Sequence, residues 1–218
     1  MPITISENKV RKSEPVPAGT HHAICYGVVY LGTLPSFNPQ YKPQKKMILV
    51  FEMPHERITI KDKDLPRGIS KRYTFSFNEK SNLRKDLQSW RGRPFTQAEL
   101  DSFDIDKVIG HNCFITVLHN EKNGVTYSDI GGISALAKGI RPLPPENPSL
   151  YFNINESIAS AEAAGLKDIK WPEGLPPWIQ KVCCESFEYK AFATGKPNAE
   201  PPDTPAEEDL QPAEEVPF

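Results

Sequence analysis

Cysteine is scarce in this chain, and the four present (Cys25, Cys113, Cys183 and Cys184) are scattered. They form no C-x-x-C pair, and the adjacent Cys183 and Cys184 are poorly placed to bridge, so all four read as reduced thiols rather than a disulfide framework. Histidine is equally thin. His21 and His22 are neighbours, and His55, His111 and His119 have no cysteine at metal-ligand spacing, which argues against a zinc site. The N-terminus lacks a basic-then-apolar leader, and no apolar run approaches the roughly 18 residues of a membrane span. The expected compartment is the cytoplasm, with no membrane partner. Also missing are a G-x-x-x-x-G-K phosphate loop, a G-x-S-x-G elbow and an H-E-x-x-H helix. Asp101, Asp104 and Asp106 have the composition of a Mg²⁺ site, but the interleaved Phe103 and Ile105 read as anchors of an exposed turn. The chain therefore reads as non-catalytic, with no cofactor and no metal.

Positive charge is absent from the last stretch. From Pro197 onward there are seven acids and no Lys or Arg, whereas residues 1–196 hold 26 basic against 21 acidic residues. A segment of this kind, rich in proline as well, cannot bury enough apolar surface to offset its ordering entropy, so residues 197–218 are expected to be disordered. The basic surplus of the body is concentrated in residues 57–93, where eleven Lys or Arg face four acids. Such a stretch suits a polyanion, although basic runs are also ordinary solvated faces.

Hydrophobic patterning predicts a mainly β body. Residues 1–18 are polar, with three prolines, and read as a loose arm. Thr20 to Leu34 is β-branched and aromatic, with Gly27 and Gly32 inside it, as expected of a long bent strand able to serve two sheets. Lys46 to Met53 and Gly68 to Phe77 are further strands. In the latter, Ile69, Lys71, Tyr73, Phe75 and Phe77 alternate with Ser70, Arg72, Thr74 and Ser76. Asn78 caps a predicted helix through Trp90, packed by Leu83, Leu87 and Trp90 and stopped by Gly92. Strands Asn112 to His119 and Val125 to Ile133 follow, joined by the hairpin dipeptide Asn123-Gly124. The order β-β-β-α-β-β describes a five-stranded OB-fold barrel over residues 19–141, with the helix between strands three and four.

Thirteen of the 22 prolines lie in residues 142–218, so residues 142–196 are expected to form an extension with short helices that does not continue the barrel. One helix is predicted from Glu156 to Ala164 and another from Pro177 to Lys190. The latter's apolar face, Ile179, Val182, Cys183 and Phe187, serves either packing on the barrel or contact with a partner.

OB-folds that hold oligonucleotides use the face of strands two and three together with the loops joining strands one to two and four to five. The first such loop here, residues 35–45, carries Phe37 and Tyr41 among polar and proline residues, with Lys42, Lys45 and Lys46 beside them. Phe37 and Tyr41 are the candidate stacking residues, at about 1–3 kcal/mol per base. Lys61, Lys63, Arg67, Lys71 and Arg72 are candidate phosphate contacts on or near strand three, with Arg84 and Arg91 on the helix and Lys122 in the last hairpin. Tyr73, Phe75 and Phe77 share one strand face and read as core, with Tyr73 the residue that reaches DNA if the barrel is open.

The tip Glu214-Glu215-Val216-Pro217-Phe218 closely resembles the terminus of bacterial and phage single-stranded DNA-binding proteins, an acidic tail closed by an aliphatic residue, Pro and Phe. The resemblance implies that these five residues recruit replication, recombination or repair proteins; the alternative is a solvating tail that ends in Phe. The body segments Ser70-Lys71-Arg72-Tyr73-Thr74, Lys80 to Leu87 and Trp90-Arg91-Gly92-Arg93 are similar to proteins of phage replication and recombination modules. This implies a coat for single-stranded DNA in a bacterial cell or phage-infected host. The bacterial core itself is a poor match to this body, so a homo-oligomer is left open. The competing expectations are an adaptor that uses the tip to capture a host replication or repair protein without binding DNA, and an RNA chaperone on the same barrel.

Overall fold

A computed structural model describes residues 14–36 and 41–195. Its strands are β1 (Gly19–Leu34), β2 (Gln44–Ile60), β3 (Lys63–Thr74), β4 (Asn112–Lys122), β5 (Val125–Ser134) and β6 (Leu150–Asn153). The helices are α1 (Asn82–Arg91), α2 (Gln97–Asp101), α3 (Ile154–Ala163), α4 (Pro177–Cys183) and α5 (Phe187–Thr194), with a 3₁₀ turn at Ile105–Val108.

The sheet runs β3-β2-β1-β4-β5, each neighbouring pair antiparallel. Two antiparallel steps separate β1 from β3 and from β5, so those end strands point the same way. Their inward residues, Ile69 and Tyr73 from β3 and Ile130 and Ile133 from β5, enter one core with Met47, Leu49, Phe51 and Cys113. The sheet is thus curled into a half-barrel, an arrangement consistent with an OB-like barrel. α1 packs into this core through Leu83, Leu87 and Trp90, and the Trp90 indole donates to Asn112 O at 2.8 Å.

β1 achieves its reach by breaking register twice, between Cys25 and Gly27 and between Tyr30 and Gly32. Its first residues pair with β4 and its later ones with β2, while residues 27–30 also accept β6 in parallel. Gly27 permits that third neighbour, since a Cβ there would lie 3.1 Å from Val50 Cβ and 3.3 Å from Leu150 Cβ. Gly32 has φ +83, and a Cβ would lie 2.7 Å from the Glu188 carboxylate that accepts from Thr33 N and Oγ1.

Several expectations are corrected. β2 and β3 extend as a ribbon to Ile60 and Lys63, past an irregularity at residues 54–56, and turn through Lys61 (φ 49) and Asp62 (φ 62). The cap of α1 is Ser81, whose hydroxyl accepts from Arg84 N, while Asn78 forms the turn before it. Gly92 ends the helix in the left-handed region, and Asn123-Gly124 has positive φ at both residues, both as expected. Residues 14–18 are pinned rather than loose: Val16 is buried and its carbonyl accepts from His119 Nε2 and Ser128 Oγ.

The largest correction concerns the proline-rich extension. It adds β6 to the sheet and covers the outer face of β1 and β2, where Val29, Leu31, Ile48 and Val50 form a second core with Leu150, Phe152, Ile158, Ile179 and Cys183. β2 is therefore buried on both faces, with Met47, Leu49 and Phe51 inward and Ile48 and Val50 outward. The predicted helix over 177–190 is two, because Ser186 starts α5 with its own side-chain cap. Proline explains the irregular link over 142–149, and a latch holds that link down: Glu52, fully buried on β2, accepts from Glu146 N, Asn147 N and Asn147 Nδ2 at 2.6, 2.9 and 2.6 Å. No helix among the described residues is long and apolar enough to cross a membrane.

Candidate nucleic-acid interface

Cross-strand register decides which candidates share a face. Lys46 opposes Thr74, Ile48 opposes Arg72 and Val50 opposes Ser70. Directly opposed residues project to one side of a sheet, so Ser70, Arg72 and Thr74 lie on the outer face, beside the apolar pair that the extension covers. Arg72 is exposed, and its charge reaches Cys183, where it partly offsets the rise that burial imposes on that thiol. Arg72 also opposes Ile48, which packs in the same outer core as Cys183 of α4. Tyr41 is half exposed, Lys42 and Lys45 are exposed, and the Lys46 ammonium donates to Gln44 Oε1 and Thr74 Oγ1. These residues form one group where β2 begins.

A second group lies at the opposite end of the sheet. The β2–β3 turn carries exposed Lys61 and Lys63, and the β4–β5 turn carries exposed Lys122. Both turns project beyond the start of β1, because β2 and β4 each run antiparallel to it. At about 3.3 Å per residue, β2 runs roughly 45 Å from Lys46 to Ile60, so the first group and the β2–β3 turn sit at the two ends of that strand.

The remaining candidates are engaged elsewhere. Lys71 points inward and pairs with Asp86 at 2.7 Å, and the same carboxylate oxygen accepts from Tyr73 OH at 2.7 Å. Tyr73 is 3% exposed, and burial first, then Asp86, pushes its hydroxyl pKa well up. It belongs to the core rather than a groove. Arg67 spends its guanidinium on Glu14 O, Pro15 O and Arg57 O, tying down residues 14–16. Arg84 donates to Phe77 O, and Arg91 pairs with Glu99 and lies 4.3 Å over the Phe95 ring. Arg93 joins that pair, so Glu99 is held well below the usual carboxylate range by Arg93 first and then Arg91. Alternation marks Lys71 as inward in the sequence, but nothing short of the fold reveals Asp86 beneath it. Phe37 and the tip Glu214 to Phe218 lie outside the described residues.

Phe75 departs from the core reading. β3 ends at Thr74, and Phe75 is 42% exposed, its ring edge-on to Tyr30 at 5.2 Å. Sequence reasoning missed Trp178 and Tyr151, also about half exposed, because both sit in helices or strands of the extension whose placement no local pattern gives. Among the described residues, no group of three His, Cys, Asp or Glu side chains is arranged to hold a metal ion. The four thiols are unbridged.

The arrangement offers cations that make no ion pair among the described residues: Lys45 and Arg72 by the start of β2, with exposed Tyr41, and Lys61, Lys63 and Lys122 on the two turns at the opposite end of the sheet. Chemically this suits phosphate neutralisation and ring stacking. No protein-family model matches the chain, and comparison with curated proteins finds no match.

Proposed function

We propose that the chain is a non-catalytic, largely sequence-independent single-stranded DNA-binding protein built on an OB-fold. It serves DNA replication, recombination or repair in the cytoplasm of a bacterial or phage-infected cell. The observation that carries this reading is the run from exposed Tyr41 and Lys45 through Arg72 toward Lys61 and Lys63, bordering strands two and three of a half-barrel consistent with an OB-like barrel, with Lys122 on the β4–β5 turn at the same end as Lys61. The strand follows the β3 side of that face, because α4 and its neighbours occupy the β1–β2 side. Phosphates meet the unpaired cations, and bases stack on Tyr41 and on Phe37. The C-terminal tip recruits partner proteins to the coated strand.

A second reading, an adaptor that captures a host replication or repair protein through the tip without binding DNA, draws support from the buried outer face of β1 and β2. Fluorescence anisotropy separates the two. Labelled oligo(dT) and duplex of equal length are titrated with the whole chain at two salt concentrations. Tight single-strand preference that weakens with salt supports the coat; no binding at low salt, or equal binding to duplex, leaves the adaptor.

A further inference from the structure

The extension also builds a cleft. At the mouth of the barrel, β1, the residues after β3, the segment around Phe103 to Asp106 and the β6–α3 junction enclose about 400 Å³, a volume within the roughly 300–1,000 Å³ of small-molecule sites. Its walls include the rings of Tyr30, Phe75 and Tyr151. Phe75 and Tyr151 are 42% and 47% exposed, so a ring seated between them would cover apolar surface that now faces solvent. Neither ring is loose. Phe75 rests edge-on against Tyr30, and Tyr151 OH donates to Glu156 Oε1 at 3.0 Å.

The polar groups of the cleft divide into those already used and those still available. Asn153 caps α3, its Oδ1 accepting from Asn155 N and its Nδ2 donating to Glu156. Asp104 pairs with Lys107 at 2.9 Å. Asp106 and Asn155 also line the cleft; both are exposed, and their side chains make no hydrogen bond among the described residues. The cleft also adjoins the first group of cations, since Phe75 N donates to Lys45 O at 2.8 Å and Met47 of the wall follows Lys46.

We propose that this cleft receives one nucleobase of the bound strand and favours bases with an exocyclic amine, of which cytosine and adenine are the probes, over thymine. The proposal rests on the strand-binding reading above. Aromatic rings stack any base, so stacking alone does not select. Selection comes from Asp106, which accepts from cytosine N4, and Asn155, whose carboxamide matches the N6 and N7 edge of adenine. Thymine offers a single donor, N3–H, set between the O2 and O4 carbonyls, whose lone pairs repel the second carboxylate oxygen, and it has no amine to give. The carboxylates also repel phosphate, so the base enters while the sugar-phosphate chain stays over Lys45.

The test is an NMR titration of the full chain with free deoxycytidine, deoxyadenosine and thymidine, uncharged probes that owe nothing to phosphate contacts, alongside anisotropy with oligo(dC) and oligo(dT). Saturable shifts of Phe75 and Tyr151 resonances are expected with the first two nucleosides and weaker ones with thymidine. Phe75→Ala and Tyr151→Ala, both at exposed positions, are expected to weaken nucleoside binding about fivefold or more. Asp106→Asn is expected to erase the preference of deoxycytidine over thymidine. Salt-sensitive oligonucleotide binding with no nucleoside effect at these rings, or with thymidine bound equally well, overturns the cleft and leaves the strand-binding reading intact. Nucleoside binding at the rings without oligonucleotide binding overturns strand coating and keeps the cleft. Failure of both overturns both.

Discussion

Replacing Glu52 tests how the extension is held. Its carboxylate is fully buried and is satisfied by dipoles, two backbone N–H groups and the Asn147 carboxamide, at 2.6–2.9 Å. The charge is felt by Tyr26, whose hydroxyl pKa is raised by burial first and by Glu52 second. Glu52→Ala strands three donors and opens a cavity. With about 1–3 kcal/mol for each unsatisfied buried group, and some relief from relaxation and entering water, the expected loss is about 3–5 kcal/mol. For a chain of this size, at about 2–4 °C per kcal/mol, Tm falls by roughly 6–20 °C. Glu52→Gln keeps the shape but turns an amide donor toward an N–H, and is expected to cost about 1–3 kcal/mol. Urea unfolding gives the stability, and hydrogen exchange at the Glu146 and Asn147 amides reports the latch itself. An alanine variant within about 0.5 kcal/mol of the parent, with both amides still protected, would refute the reasoning.

Tyr41→Ala is expected to weaken oligo(dT) binding by about 1–3 kcal/mol, roughly 5–150-fold, and an unchanged affinity removes Tyr41 from the groove. Arg72→Ala is expected to lower the slope of log affinity against log salt by about 0.7, the signature of one lost phosphate contact to a single strand. Gly32→Ala combines positive φ with a Cβ 2.7 Å from the Glu188 carboxylate, and is expected to cost about 2–4 kcal/mol in thermal unfolding. Burial pushes the Cys25 thiol up to about 12, so its neutral form stabilises the fold below the ordinary value of 9.0, and that contribution is lost as pH rises from there toward 12. Stability is therefore expected to fall along an alkaline limb that Cys25→Ala flattens, while thiol reagents at pH 8 leave Cys25 unlabelled in the folded chain.

The half-barrel was legible wherever a local rule acts at short range. Asn123-Gly124 specifies its turn, Gly92 ends α1, and Leu83, Leu87 and Trp90 fall on one helical stripe. The rules failed where a distant segment supplied the reason for a residue. Glu52 inside an apolar strand signals an unmet need for donors, but the donors sit 94 and 95 residues away. Ile48 and Val50, alternating with Met47 and Leu49, mark a strand buried on both sides, which foretells a covering layer without saying which segment forms it. The proline density of residues 142–218 argues locally for a segment that does not continue the barrel. Proline forbids donation to a ladder at its own position, and Leu150 to Asn153, which contain none, are free to pair with β1.

The candidate interface was legible in composition and not in placement. Of the eleven basic residues in 57–93, Arg57, Arg67, Lys71, Arg91 and Arg93 hold the protein to itself through Asp64 and Glu146, Glu14, Asp86 and Glu99. A local surplus of charge thus overstates the charge offered to a ligand by nearly half. The extension removes the outer face of β1 and β2 from solvent, so the surface left to a ligand on that side of the sheet is the β3 border. The same segment places Tyr151 and Asn155 beside Phe75 at one end of that border. Deleting residues 142–218 would therefore not yield a simpler binder: it would expose Ile48, Val50, Val29 and Leu31, favouring aggregation, and strip the cleft of its β6 and α3 walls.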